Sequence, residues 1–162
     1  MAAGKKAGKT NALRMLDVRG ISYRSTEYEL SDGFTSGSDI ARMQGLDPDA
    51  VFKTLVTQGK SGGYYVFLVP VAAELDLKKA AAAAGEKAIA MIKARELLPL
   101  TGYVHGGCSP VGMKKQFPTV IDETASLFDE IYVSGGRIGL QLCICPGDLA
   151  QAAEADFADL TE

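Results

Sequence analysis

At 162 residues the chain has room for one domain with a sizeable core and hardly for two. Hydrophobic residues at 47% and charged residues at 23% exclude the disordered and fibrous classes, and no run approaches the roughly 20 apolar residues that a membrane-spanning helix needs. A net charge of -3 and a pI near 5.2 exclude a global basic field, so a nucleic-acid partner must be gripped locally or delivered by another protein.

The opening "MAAGKKAGKT" is basic, but no apolar core follows it, so it does not read as a secretory signal, and the cytoplasm is the expected location. Residues 1–9 are expected to form a flexible arm ahead of a single domain over 10–162. Thr10 caps an expected helix that carries Leu13 and Leu16 inward and stops at Gly20. "ISYRSTEYEL" then reads as a strand and "SDGFTSGS" as a loop, with "GFTSGS", residues 33 to 38, a candidate pocket lip. Ser38 begins a short helix, "DIARMQ", with Gly45 just beyond it, and Asp47 and Pro48 turn the chain into the next strand.

Strands over 51–58 and 64–69, joined by "GKSGG", predict an antiparallel hairpin. Asp76 caps "LKKAAAAA", where five alanines favour helix and Gly85 supplies the stop. "EKAIAMIKARELL" alternates like a strand in its first half and looks helical in its second, ending before Pro99. The remainder is rich in glycine and short strands: "TGYVHGGCSPVG", "PTVID", "EIYVSGG" and "IGLQLCIC", closed by a helix from about Asp148. Short strands with scattered helices and no regular alternation predict an α+β domain, with a mixed, partly barrel-like β-sheet and surrounding helices.

Chemistry is concentrated in few places. In "DPDAVFKTLV", period two puts Lys53 on one strand face with Val51 and Leu55, and Phe52, Thr54 and Val56 on the other. Both faces are largely apolar. Lys53 is therefore either an edge lysine that snorkels to water or a fixed cation holding a phosphate or carboxylate in a partly dry pocket. In "GGCSPVG", Gly106 and Gly107 have no side chains, so their N–H groups can approach a carbonyl or phosphate oxygen closely; a simple turn is the plainer reading. "GKKAGKT" has three residues where a phosphate loop needs four, and "GGRIG" lacks dinucleotide spacing. Three cysteines and the single His105 match no zinc pattern, and the thiols are read as small hydrophobes. Local positive charge lies at Lys5, Lys6, Lys9 and Arg14 and at Lys114 and Lys115; solvated surface lysines account for the first group.

Four stretches, "GLDPDAVFKTLV", "VAAELDLKKAAAAAG", "TGYVHGGCSPVGMKKQFPTVID" and "IYVSGGRIGLQL", resemble in order and spacing the YbaK/EbsC-type deacylases, freestanding relatives of the editing domain of bacterial prolyl-tRNA synthetase. The resemblance covers about residues 11 to 160 and is nearest the branch that hydrolyses Cys-tRNA(Pro). It implies that Lys53 holds the phosphate of the terminal adenosine and that Gly106 and Gly107 polarise the aminoacyl carbonyl. It also implies that Tyr28, Thr54, Ser134 and Gln141 line the substrate, with no metal and no cofactor. Aminoacylated tRNA(Pro) is the implied substrate and prolyl-tRNA synthetase the implied partner; neither a membrane nor DNA is expected.

Gln141 departs from the aspartate of well-known members, and a neutral amide cannot act as a counter-ion. The resemblance also implies attack by the substrate's own thiol, which needs proximity and oxyanion donors rather than a protein nucleophile. The rival readings are a deacylase for alanine or other small amino acids and a catalytically silent module that binds tRNA or a synthetase.

Overall fold

The computed structural model describes residues 8–29 and 37–162. Helix α1 (Asn11–Arg19) begins where Thr10 Oγ accepts the Leu13 N–H, ends at Gly20 in the left-handed region, and buries Ala12, Leu13 and Leu16. Strand β1 (Arg24–Glu27) follows, then α2 (Gly37–Met43) and a 3-10 turn (Pro48–Ala50) held by Asp47, whose Oδ1 accepts the Asp49 N–H at 2.9 Å. Strands β2 (Phe52–Gly59) and β3 (Tyr64–Pro70) form the expected hairpin, with Lys53 opposite Val69.

Asp76 caps α3 (Leu77–Ala84), and Gly85 stops it as its sequence position predicted. Strand β4 (Ile89–Met91) and helix α4 (Ala94–Thr101) divide the ambiguous stretch between them. The helix does not end before Pro99 but runs through it. Pro99 forfeits one bond, to the Arg95 carbonyl, while Leu97 and Leu100 still pack on the core and Gly102 N–H closes onto Leu98 O at 2.9 Å. Strands β5 (Thr119–Asp122), β6 (Ile131–Ser134) and β7 (Leu140–Ile144), helix α5 (Pro146–Ala153) and strand β8 (Ala155–Ala158) complete the chain. The sequence reading had no counterpart for β8.

The architecture is α+β, as expected, with two sheets that do not close into a barrel among the described residues. One sheet runs β1-β7-β6, all antiparallel; the other runs β4-β2-β3-β5-β8 and is mixed. They meet where Val51 bridges Tyr132 in parallel. Alternation along β3 explains its unbroken apolar run: Val66 and Leu68 face the main core between the sheets, while Phe67 and Val69 face a second core under α3 and Leu160.

Residues 1–7 of the expected arm and 30–36, which hold most of the candidate lip, lie outside the described residues. Gly8 and Lys9 are tied down, by Arg137 Nη1 donating to Gly8 O at 3.3 Å and by an ion pair between Lys9 and Asp17.

Candidate active site

The candidate site is built around the turn from β6 to β7. Ile131 and Val133 of β6 and Leu140, Leu142 and Ile144 of β7 belong to the main core, so Ser134 and Gln141 stand on the opposite face. Thr26, Gln141 and Ser134 are directly paired across the three strands and form one row. Tyr28 continues β1 by donating its N–H to Gly139 O at 2.8 Å, which keeps it on the same face as Thr26. Val51 pairs with Tyr132, and carrying that register on by two residues sets Lys53 beside Ser134. Four sequence-derived residues from four strands thus converge on one face.

Lys53 is half-buried, its side chain 30% exposed, and Glu74 Oε2 stands 3.8 Å from Nζ. Glu74 is 77% exposed, so this is a loose pair of little energetic weight and the ammonium keeps donors for a ligand. Gln141 is buried at 7% exposure, yet among the described residues its amide makes no hydrogen bond. Ser134 Oγ accepts the Gly136 N–H at 3.1 Å. Burial pushes the Tyr28 hydroxyl pKa up, against a smaller downward pull from the Gly139 main chain.

Thr54 is not on this face. Period two turns it with Phe52 and Val56 towards the main core, and its Oγ is the one buried side-chain polar atom without a partner among the described residues. Such an orphan costs about 1–3 kcal/mol.

The glycine loop reaches the site from α4. Gly107 N–H donates to Val104 O at 2.9 Å, closing a turn in which Gly106 has φ +85, a conformation that needs glycine. A Cβ on Gly107 would lie 2.8 Å from Ile138 N and 2.9 Å from the Arg137 Cα, so the loop rests directly on the main chain of the β6–β7 turn. A carbonyl oxygen bound at Gly107 N–H would have to share or replace the bond to Val104. Tyr103, whose hydroxyl donates to Val111 O at 2.7 Å, braces the loop from below.

The sequence reading missed Thr26, which the same alternation from Tyr28 would have found, and Ile138. Ile138 is 51% exposed and lies over Gly106; with Tyr28, Gly139 and the paired Glu27 and Arg137 it lines a cleft of about 340 Å³. The protein groups near the loop make poor nucleophiles. Cys108 is buried, which pushes its thiol up to about 11, and His105 is exposed with no thiol or hydroxyl held against it among the described residues.

Residues 32–152 match the model of the aminoacyl-tRNA editing domain family. The chain belongs to that family. An editing domain is a deacylase: it cleaves the ester that joins a wrong amino acid to tRNA. The YbaK/EbsC-type kinship drawn from the four motifs holds across the whole chain. EbsC of Enterococcus faecalis, assigned as a Cys-tRNA(Pro)/Cys-tRNA(Cys) deacylase, is 40% identical over 161 residues, covering 99% of this chain and 98% of that protein. A crystal structure described as a trans-editing enzyme for prolyl-tRNA synthetase superposes with a TM-score of 0.82 at 29% identity, covering 96% and 99% of the two chains. A scaffold protein from computational epitope grafting has the same fold, with a TM-score of 0.82, 27% identity and coverage of 94% and 95%. Among the described residues of this editing domain, no helix is long and apolar enough to cross a membrane.

Proposed function

We propose that this editing domain acts in trans on Cys-tRNA(Pro) in the cytoplasm, where charged tRNA is consumed. The observation that carries the proposal is the end-to-end 40% identity to a protein assigned to Cys-tRNA(Pro) and Cys-tRNA(Cys). The structural neighbour described as a trans-editing enzyme for prolyl-tRNA synthetase supports that synthetase as the partner that delivers the tRNA. The mildly acidic chain gives a reason for such help.

In this reading Lys53 holds the phosphate of the terminal adenosine. Tyr28, Ser134 and Gln141 orient the ribose and amino acid, and the glycine turn supplies N–H groups to the carbonyl. The thiol of the substrate cysteine attacks the ester carbonyl carbon. A C–S bond forms, the bond to the ribose oxygen breaks, and the thiol proton ends on that oxygen, leaving a thiolactone and free tRNA. Protein groups then need only to position the thiol and stabilise the developing oxyanion. The buried, high-pKa Cys108 and the exposed His105 leave that attack to the substrate.

The test is release of amino acid from tRNA(Pro) charged separately with cysteine, alanine, serine and proline, with wild type and Lys53→Ala in parallel. Cysteine alone should be lost, and Lys53→Ala should slow the loss about 10- to 100-fold, the scale of one charge-assisted contact. Its melting temperature should stay near wild type, because the pair with Glu74 is loose. Alanine has no thiol, so efficient release of alanine would overturn the thiol route. It would favour a deacylase of small amino acids, the second reading that the neutral Gln141 supports. Binding of tRNA or synthetase without turnover of any ester would leave a silent module.

A further inference from the structure

The charge of this acidic chain is unevenly distributed. Residues 87–115 hold five cations and one carboxylate, whereas the other 133 residues hold 12 cations and 19 carboxylates. The five are Lys87, Lys93, Arg95, Lys114 and Lys115; all are exposed, and among the described residues none is in an ion pair. Elsewhere most of the described cations are matched, among them Arg19 with Glu154, Arg24 with Glu130, Lys79 with Asp159 and Arg137 with Glu27, while Arg14, Lys60 and Lys78 stand singly. The single carboxylate of the basic segment, Glu96, is turned to its own helix start, where Oε2 accepts the Lys93 N–H at 2.9 Å. It caps α4 and neutralises no side-chain cation.

The placement makes a strip of these charges. Leu97 and Leu100 turn inward, so Arg95, Leu98, Pro99 and Gly102, at spacings of three and four, form the outer face of α4. Lys93 stands at the start of that face. Lys114 lies across its end, donating to Pro99 O at 3.5 Å and covering Gly102, with Lys115 beside it. A groove of about 370 Å³ continues the strip past Lys93 to Lys60, another exposed cation. At its other end α4 passes straight into the glycine turn. The uncompensated positive charge therefore leads to the site.

We infer that this strip is the surface on which the acceptor end of the tRNA lies, its phosphates on Lys93, Arg95, Lys114 and Lys115 while the 3′ terminus enters the site. The inference rests on the proposed editing of tRNA and adds where the RNA body sits. Unpaired exposed cations have no ion pair to break before they meet a phosphate, and each phosphate neutralised releases counterions.

Two measurements test it, with wild type, a triple variant (Arg95→Ala, Lys114→Ala, Lys115→Ala), a double variant (Lys93→Ala, Arg95→Ala) and an equal-charge control (Arg19→Ala, Arg42→Ala, Lys78→Ala). The first is the salt dependence of binding to uncharged tRNA(Pro). The triple variant should weaken binding about 10-fold or more and flatten the log–log salt slope by about 2 to 3, with a smaller effect in the double variant and none in the control. The second compares cysteinyl-tRNA with the cysteinyl ester of a CCA trinucleotide. KM for whole tRNA should rise in the triple variant, while kcat and the rate on the trinucleotide ester stay at wild-type values.

An unchanged slope, an equal loss in the control, or an effect seen only when prolyl-tRNA synthetase is present would overturn the assignment; the last outcome would make the strip a protein-docking face. If wild type cleaves no ester of either size, the proposed function fails, and the binding measurement still decides the strip.

Discussion

Two residues show how far single positions could be read. Period two in "VFKTLV" puts Lys53 and Thr54 on opposite faces, and the structure keeps them there: Lys53 opposite Val69 on the face away from the main core, Thr54 over that core. The motifs gave Tyr28, Ser134 and Gln141 their candidacy, and the strand register brings all three to one face. Gly107 could not be read so far, because nothing local shows that its missing side chain makes room for the main chain of residues 137 and 138, some thirty positions away. Gly107→Ala would drive a methyl group into backbone that cannot swing aside. It should lower stability by about 1–3 kcal/mol and abolish most deacylation. Gly147→Ala meets nothing within 4 Å and should leave both nearly unchanged. Thermal melting and amino-acid release on the two variants check the pair, and equal behaviour would mean that the loop is softer than its contacts indicate.

Among the elements, those with caps were legible. Thr10 and Gly20, and Asp76 and Gly85, marked α1 and α3 because side-chain acceptors and left-handed glycines act within one turn of the chain. Asp76 Oδ1 accepts both the Lys78 and Lys79 N–H groups, at 2.9 and 3.1 Å, so Asp76→Ala should cost about 1 kcal/mol in a urea denaturation series with the m-value unchanged. A smaller loss would assign the helix to alanine propensity and packing alone. Strand β8 was not legible, since "ADFA" has no apolar alternation and exists only because β5 offers a free edge for parallel pairing. The continuation of α4 through Pro99 was also hidden, because burial of Leu97 and Leu100 outweighs one missing bond. Tertiary contacts decided both cases.

For the molecule as a whole, the main core between the sheets buries two groups that resist ionisation, Cys108 and Tyr103, both displaced upward chiefly by desolvation. The Cys108 thiol moves from 9.0 to about 11 on folding. Between those values the unfolded chain has lost the proton that the folded chain keeps, so this contribution to stability is fully present below pH 9 and is lost as pH rises towards 11. It amounts to about 3 kcal/mol, and Tyr103 adds to the decline from pH 10 upward. Melting curves from pH 8 to 11 should fall less steeply for Cys108→Ala than for wild type; parallel curves would remove the thiol as a cause.

Gly107 meets residues 137 and 138 main chain to main chain. The floor of the site is peptide against peptide, and peptide has no alternative alphabet. Substitution can redraw the walls of the candidate site, but it can alter the floor only by breaking the geometry. Selectivity in such a site is free to drift between amino acids while the machinery that grips the ester stays the same.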